Sequence, residues 1–292
     1  MNPFLRAYGI IHYETVANLL LCLHPKGVVS HDLTMLFTQE ATKQEFLSLN
    51  ENGKHVLVDA SCMREVVDAL LYQKSCVPMN VSGGRMAVLC FNVPNGYGIL
   101  RRYRRGGLIR RFVSDAYVLD NRPLREFNLL KWLFARGLPV PQPLGVCWER
   151  RGLLYRGLLA TKKLDALDLV SFLGSSATIS DQILRKVGGT IRLMHDLGIY
   201  HADLNAQNIL IGCGNAYLLD FDNAVRAERL SVLKRQSNLL RLRRSMDKHG
   251  MSQYFSRILD GYSGEGLYPW LDRIYYWKGT LSDLLTMRRQ AR

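Results

Sequence analysis

One stretch of the chain, residues 200–225 with the sequence YHADLNAQNILIGCGNAYLLDFDNAV, constrains the fold more than any other. It contains the pattern H-x-D-x-x-x-x-N, formed by His201, Asp203 and Asn208, and a D-F-D triplet that begins at Asp220. A carboxylate such as Asp203 can accept the proton of a hydroxyl group that attacks a γ-phosphoryl group. The oxygens of Asn208 and Asp220 are hard ligands that suit Mg²⁺. The pattern therefore predicts a phosphoryl-transfer centre.

The apolar residues of this stretch predict how its polar groups meet. The runs Ile209–Ile211 and Tyr217–Phe221 are separated by a turn that contains Gly and Asn, so we expect a β-hairpin. A hairpin of that length returns Asp220 to the end at which Asn208 lies, and Asp203 is on the loop that enters the first strand. The alternative is a solvated loop in which these side chains only cap turns.

The stretch resembles the catalytic and metal-binding signature of the protein-kinase-like fold. Its form, YHADLNAQNIL followed by LLDFD, is similar to that of the Kdo kinase (3-deoxy-D-manno-octulosonic acid kinase) family of lipopolysaccharide-core kinases. Three more segments share the resemblance, namely LRRYRRGGLI (100–109), LREFNLLKWLFARGLPVPQPLG (124–145) and NLLRLRRS (238–245). The similarity extends roughly from Lys54 to Lys248 and implies an α+β, bilobal protein-kinase-like fold.

This resemblance divides the 292 residues into three parts. Residues 54–161 would form a β-rich N-lobe and residues 162–292 a helical C-lobe, while residues 1–53 would be an N-terminal extension of unknown role. The segment Thr161–Leu164 would join the lobes. Because nucleotides bind at such junctions, we expect the adenine of ATP to lie there.

The resemblance also implies roles for the polar residues of the stretch. Asp203 would be the proton acceptor, and His201 would brace its loop by hydrogen bonding. Asn205 stands where protein kinases have a lysine, which favours a small-molecule or sugar kinase over a protein kinase. Asp222 replaces the glycine of D-F-G and would either bind metal or brace the loop.

A turn in the N-lobe matches the position of a kinase glycine-rich loop. It contains Gly83 and Gly84, and glycine allows backbone N–H groups to approach phosphate closely. Protein kinases have three glycines where this turn has two. An ordinary hairpin turn is the alternative interpretation.

The next strand has arginine where kinases have a phosphate-binding lysine. Arg101 is the matching residue and Arg102 the alternative, because strand alternation directs only one of them to the cleft. A guanidinium can bind phosphate in a bidentate manner. Its expected partner is Glu126, on a helix that starts near Pro123 and ends at Gly137, although Glu126 could instead be a solvated helix charge.

The net charge of +14 favours anionic partners. Six arginines occur within eleven residues without an acidic residue: Arg101, Arg102, Arg104, Arg105, Arg110 and Arg111. Such a strip would bind the phosphates of ATP or of an acceptor lipid. Binding of a nucleic-acid backbone is the alternative, although we do not expect nucleic acid as a partner. The helix after Val225 is also basic and amphipathic, so it would either lie on an anionic membrane or pack with snorkelling basic residues.

Cysteines and apolar segments indicate the compartment. The six cysteines include no C-x-x-C pair, which favours a reducing compartment. The early apolar run Val16–Leu23 is too short to span a membrane. We therefore expect a soluble or peripheral protein, and the resemblance implies the cytoplasm or the cytoplasmic face of the bacterial inner membrane.

The function implied by the resemblance is ATP- and Mg²⁺-dependent phosphorylation of the 4-hydroxyl of a Kdo residue on lipid A precursor, in lipopolysaccharide core synthesis. Two alternatives stay open. One is another phosphotransferase of this fold, acting on a heptose, an aminoglycoside-like molecule or a protein. The other is a non-catalytic basic scaffold derived from a kinase.

Overall fold

The computed structural model describes residues 44–79, 88–103, 117–118, 121–152, 154–175 and 179–262. In these ranges eight strands form one antiparallel sheet: β1 (Phe46–Glu51), β2 (Lys54–Asp59), β3 (Val77–Met79), β4 (Val88–Val93), β5 (Gly96–Arg102), β6 (Tyr117–Val118), β7 (Pro143–Arg151) and β8 (Leu154–Lys162). Their hydrogen-bonded order is β1-β2-β7-β8-β5-β4-β3, and β6 pairs with β8. This sheet is the β-rich lobe that the sequence predicts.

One face of the sheet packs on helix α1 (Met63–Val67), which continues as a π-helical turn to Tyr72. Val56 and Val58 of β2 alternate toward this face and are completely buried. They share a core with Val66 of the helix. The segment from Met63 to Tyr72 is therefore anchored to the sheet by its apolar side.

The lobe's second helix, α2 (Arg122–Phe134), begins and ends at local sequence signals. The Asn121 side chain accepts a hydrogen bond from the N–H of Leu124 at 3.3 Å, which caps the first turn. Gly137 follows the helix with a φ of +73°, a conformation that favours glycine. Residues Phe127, Leu130 and Leu133 are buried, so α2 presents one apolar face to the core.

After the sheet, the described chain is mainly helical. Its helices are α3 (Leu169–Ser175), α4 (Asp181–Asp196), α5 (Val232–Lys248) and α6 (Phe255–Tyr262). Its short strands are β9 (Leu167–Asp168), β10 (Ile199–Tyr200), β11 (Ile209–Gly212), β12 (Asn215–Leu218) and β13 (Val225–Arg226). Strands β12, β11 and β9 form a small sheet, and β10 pairs with β13. The α+β class, with a β-rich lobe followed by a helical one, is confirmed.

Helices α4 and α6 pack with their backbones close together. A Cβ atom at Gly188 would overlap the carbonyl oxygen of Ile258, and one at Gly261 would overlap that of Arg185. Helix α4 follows the N-cap residue Ser180, whose hydroxyl accepts from the N–H of Gln182 at 3.3 Å. Helix α4 leads through β10 into the loop that carries Asp203.

Some predictions differ from the structure or lie beyond it. The β-rich lobe begins before residue 54, at which we placed its start. Strand β1 precedes that residue and belongs to the lobe, because it pairs with β2 along its full length. The rest of the division into an extension and two lobes stays a prediction. Gly83 and Gly84, and four arginines of the basic strip (Arg104, Arg105, Arg110 and Arg111), lie outside the described residues. Within the described ranges, no helix is long and apolar enough to cross a bilayer.

Candidate active site

The predicted hairpin is present and brings two of the candidate residues together. Strands β11 and β12 pair antiparallel, with Ile209 opposite Leu218. Beyond that pair the N–H of Leu219 donates to the carbonyl of Asn208 at 2.9 Å. Asp220 is the next residue, with a φ of +62° that is unusual for a non-glycine residue. Asn208 and Asp220 therefore lie at the same end of the hairpin, as predicted.

The loop before β11 is held by the carboxamides of Asn205 and Asn208. Asn205 Oδ1 accepts from the N–H groups of Gln207 at 2.9 Å and Asn208 at 3.0 Å, and its Nδ2 donates to the carbonyl of Asp203. Asn208 Nδ2 donates to the same carbonyl at 2.9 Å and lies 3.5 Å from Asp203 Oδ2. With its amide nitrogen directed to Asp203, Asn208 has its Oδ1 available as an acceptor or ligand.

His201 links this loop to the D-F-D segment. Its ring is buried, and its Nδ1 accepts from the N–H of Asp203 at 3.2 Å while Nε2 donates to the carbonyl of Leu219 at 2.8 Å. That arrangement requires the neutral imidazole protonated at Nε2. Burial lowers the pKa of His201, which favours the same neutral form. The ring is thus placed to brace the loop rather than to carry a proton.

A buried asparagine on α5, Asn238, fixes the backbone of His201 from the other side. Its Oδ1 accepts from the N–H of His201 at 3.0 Å, and its Nδ2 donates to the carbonyl of the same residue at 2.7 Å. Asn238 Oδ1 also lies 3.1 Å from His195 Nε2, and His195 Nδ1 lies 2.8 Å from the hydroxyl of Tyr262. Sequence reasoning missed Asn238; its one signal is a carboxamide placed among the leucines of the α5 segment.

Arg101 of β5 binds two carboxylates, Glu126 of its own lobe and Asp220 of the other lobe. Its Nη1 donates to Asp220 Oδ1 at 2.9 Å, and its Nη2 donates to Glu126 Oε2, which also accepts from the hydroxyl of Tyr103. Glu126 is buried on α2, so it is not a solvated helix charge. Arg102 is exposed on the other face of β5. Of the two arginines, Arg101 is therefore the one directed to Glu126 and Asp220.

Burial and charge shift the pKa values of this cluster in opposite directions. Burial raises the pKa of Glu126, although Arg101 opposes the rise. For Asp220, burial favours protonation, but the guanidinium of Arg101 outweighs it and holds the pKa below its usual value. Asp220 is therefore kept as a carboxylate, the form that a metal ion requires.

Asp222 is turned toward α2. Its Oδ2 lies 3.3 Å from Arg122 Nη1, and Arg125 donates to its carbonyl at 3.1 Å. These contacts match the loop-bracing alternative. Its other oxygen, Oδ1, is buried and accepts no hydrogen bond from the part of the chain that the structure describes. Burial raises the pKa of Asp222.

The Asp203 carboxylate itself is accessible, with 59% of its side chain exposed. Arg241 of α5 approaches it, with Nη1 at 3.9 Å from Asp203 Oδ1. In the described ranges, no group of three or more His, Cys, Asp or Glu residues is arranged to hold a metal ion. Mg²⁺ at phosphoryl-transfer sites takes one or two protein ligands besides phosphate and water, and Asn208 with Asp220 fits that smaller set.

Comparison with known proteins gives a consistent result. The sequence model of the "Lipopolysaccharide kinase (Kdo/WaaP) family" matches residues 80–262, more than half of the chain. A 3-deoxy-D-manno-octulosonic acid kinase of Vibrio cholerae serotype O1 is 38% identical over 183 residues, covering 61% of this chain and 77% of that protein. One from Xylella fastidiosa is 35% identical over 205 residues, covering 66% and 80%. A solved structure of WaaP in complex with acyl carrier protein is 14% identical, with a TM-score of 0.45 over 90% of this chain and 97% of that one.

Proposed function

Since this chain belongs to the lipopolysaccharide kinase (Kdo/WaaP) family, we propose that it transfers the γ-phosphoryl group of ATP to the 4-hydroxyl of a Kdo residue on a lipid A precursor. The coarser part of this statement follows from the family: the protein is a phosphotransferase with a hydroxyl acceptor, and relatives 35–38% identical to it are 3-deoxy-D-manno-octulosonic acid kinases. The lipid A precursor and the position of the hydroxyl are our proposal.

One observation carries the proposal, the meeting of Asp203, Asn208 and Asp220 at one end of the β11–β12 hairpin. Asn208 Nδ2 donates to the carbonyl of Asp203, and the carbonyl of Asn208 accepts from the N–H of Leu219, the residue before the D-F-D segment. His201 adds a second connection between the same two segments. A solvated loop has no need of these connections, so the arrangement favours a reaction centre.

In this centre Asp203 would accept the proton of the acceptor hydroxyl as that hydroxyl attacks the γ-phosphorus. Its exposure leaves room for the acceptor, and the bonds of Asn205 and Asn208 to its carbonyl fix the backbone that carries it. Arg101 would contact the ATP phosphates. A guanidinium has five N–H donors, so Arg101 can bind phosphate while Glu126 still holds it.

Asn208 Oδ1 and the Asp220 carboxylate would hold Mg²⁺. The bound ion would neutralise charge on the phosphates of ATP as the phosphoryl group moves. Gly83 and Gly84 would cover those phosphates with backbone N–H groups.

We further propose that the protein acts at the cytoplasmic face of the inner membrane, as a peripheral protein. The beginning of α5 supports this, because Val232 and Leu233 are exposed there beside Lys234, which is also exposed. Apolar and basic side chains on one exposed end of a helix suit an anionic membrane surface.

The experiment is transfer of labelled phosphate from γ-labelled ATP to Kdo-bearing lipid A precursor, with the product's phosphorylated position located by NMR. We expect transfer by the wild type and a loss of about 10²- to 10⁴-fold in Asp203→Asn, because that amide cannot act as a base. Asp260→Asn is the matched control, since its carboxylate is partly exposed on α6 and forms ion pairs away from the centre.

Other outcomes would separate the alternatives. Asp203-dependent transfer to a heptose, an aminoglycoside or a protein, but not to Kdo, would keep the phosphotransferase and overturn the acceptor. Product phosphorylated at another hydroxyl would overturn only the position. Absence of turnover with every acceptor, together with stabilisation by nucleotide, would favour the scaffold.

A further inference from the structure

Helix α5 touches the loop that carries Asp203 along one face. Asn238 bonds the backbone of His201, Arg241 approaches the carboxylate of Asp203, and Ser245 Oγ accepts from the N–H of Ala206 at 3.0 Å. Their spacing of three and four residues puts the three side chains on one side of the helix. Two of them bind loop backbone. Arg241 differs, since it reaches the proposed base.

Arg241 does not form the close ion pair that other arginines of this lobe form. Its Nη1 is 3.9 Å from Asp203 Oδ1, beyond hydrogen-bond distance, and 46% of its side chain is exposed. By contrast, Arg235 and Arg192 bind Asp196 at 2.6 and 2.9 Å. The donors of Arg241 are therefore not taken up by Asp203, although the guanidinium stands beside the carboxylate that would receive the acceptor.

The loop offers no substitute for this cation. Asn205, two residues after Asp203, has both ends of its carboxamide engaged in the loop backbone. A positive charge next to the acceptor's hydroxyl thus comes from α5 rather than from the loop. Such a charge would select acceptors that carry an anionic group close to the hydroxyl that reacts.

We propose that Arg241 binds the carboxylate of the acceptor and so determines which sugar is phosphorylated. This inference rests on the proposed function, because the acceptor is then a sugar acid whose carboxylate and hydroxyls belong to one monosaccharide. A guanidinium pairs with a carboxylate through two parallel hydrogen bonds, which fixes orientation as well as position. Arg241 would hold the acid group while Asp203 takes the proton of a nearby hydroxyl.

The selectivity follows from the cost of an unpaired charge. A neutral sugar would leave Arg241 without its anion and gain no orientation, so it would be a poorer acceptor. Removal of the guanidinium should weaken binding of the acid by about 10- to 100-fold, the range for a hydrogen bond to a charged group. Binding of ATP should be unaffected, because Arg241 lies on the acceptor side of Asp203 in this proposal.

The test compares two acceptors in the wild type and in variants. The acceptors are a Kdo-bearing glycolipid and the same glycolipid with the Kdo carboxylate converted to its methyl ester. The proteins are the wild type, Arg241→Gln, and the control Arg257→Gln, which removes a half-exposed arginine that pairs with Asp181 on the far helices. We expect Arg241→Gln to raise KM for the acid about 10- to 100-fold, with KM for ATP unchanged.

The ester separates acceptor binding from any other role of Arg241. In the wild type, the change from acid to ester should raise KM by about as much as Arg241→Gln raises KM for the acid. In Arg241→Gln, KM for the ester should be close to KM for the acid. Arg241→Lys should recover part of the binding. The inference would be overturned if Arg241→Gln lowered kcat/KM, relative to the wild type, by the same factor for both acceptors. It would also be overturned if the variant shifted the pH profile of kcat and left KM unchanged, since Arg241 would then act on Asp203 alone.

Failure of the inference and failure of the proposed function give different results. If the wild type phosphorylates the acid and Arg241→Gln does so equally well, the inference is overturned and the proposed function is kept. No wild-type transfer to any Kdo acceptor would overturn both. If Arg241→Gln does not fold, as judged by circular dichroism, the wild type decides: equal KM for acid and ester would overturn the inference.

Discussion

The environment of Glu126 determines what Arg101 can do. The carboxylate is 2% exposed and accepts from both Arg101 and Tyr103, so it holds the guanidinium in one orientation. Asp220 holds the same guanidinium from the other lobe. A lysine has a single ammonium on a flexible chain, whereas the planar fork of arginine can serve two carboxylates at once. The replacement of the usual lysine is therefore consistent with an intact centre.

A second buried residue, His195, makes the stability of the protein depend on pH. Burial lowers its pKa from 6.5 to about 4, while Asn238 and Tyr262 satisfy the neutral ring. The unfolded chain therefore binds a proton between these pH values that the folded chain does not. The free energy of unfolding should fall as pH decreases from about 6.5 to 4, by about 3 kcal/mol for this histidine.

The measurement is urea unfolding of the wild type and of His195→Gln across this pH range. Glutamine does not titrate, so the variant should show a flatter dependence, even though it is less stable at pH 7. His201, whose pKa is also lowered, contributes in the same direction in both proteins. Parallel pH curves for the two proteins would mean that His195 is not buried as a neutral ring.

At the scale of elements, local sequence signals mark where two of the helices begin and end. Helices α2 and α4 begin at Asn121 and Ser180, side chains that cap their first turns, and glycines follow their ends. Strand β1 escaped prediction, because its residues are at most partly buried and it exists through pairing with β2. An edge strand of this kind carries little hydrophobic pattern, so its sequence alone does not distinguish it from a loop.

The candidate site likewise has a part that the sequence predicts and a part that it does not. Asp203, Asn208 and Asp220 could be predicted because one hairpin of local sequence joins them. Contacts between distant segments could not: the approach of Arg241 to Asp203 crosses 38 residues of chain (241 − 203), and that of Asn238 to His201 crosses 37. In sequence, an asparagine and an arginine of α5 look like any polar residues of an amphipathic helix.

Asn238 should be a positioning residue that couples α5 to the loop. In Asn238→Ala, the N–H and carbonyl of His201 and the ring of His195 would lose partners, at about 1–3 kcal/mol for each buried group left unsatisfied. We expect kcat to fall, with a smaller change in KM for ATP, because the ring of His201 and the backbone of Asp203 would lose their orientation.

Steady-state kinetics and thermal unfolding would measure both effects. Asn128→Ala is the control, since Asn128 is exposed on α2 and the substitution should leave kcat and the midpoint of unfolding nearly unchanged. Asn238→Asp retains the acceptor oxygen but turns a buried carboxylate oxygen toward the carbonyl of His201, so it should not restore the wild-type stability. A destabilised Asn238→Ala with wild-type kcat would show that Asn238 serves folding alone.

At the scale of the whole molecule, the charge of +14 and the exposed start of α5 bear on the same question, where the enzyme would meet the lipid acceptor that we propose. Basic residues attract a protein to an anionic surface, but that attraction is screened by salt. Exposed apolar residues add a contribution that salt does not screen. Val232 is 49% exposed and Leu233 58%, so both can enter the interfacial region of a bilayer without unfolding α5.

We therefore expect the protein to sediment with vesicles that contain anionic lipid, and to do so less as salt is raised. Burial of a Val or Leu side chain contributes about 1.5–3 kcal/mol, so the double substitution Val232→Ser and Leu233→Ser should weaken binding by at least about 10-fold. Leu193→Ser, which removes a leucine 38% exposed on α4, is the control and should bind as the wild type does. Both variants should phosphorylate a soluble Kdo-bearing acceptor at the wild-type rate, because neither alters Asp203 or its neighbours. Unchanged binding of the double variant to the vesicles would mean that the charge alone, or a different face of the protein, makes the contact with anionic lipid.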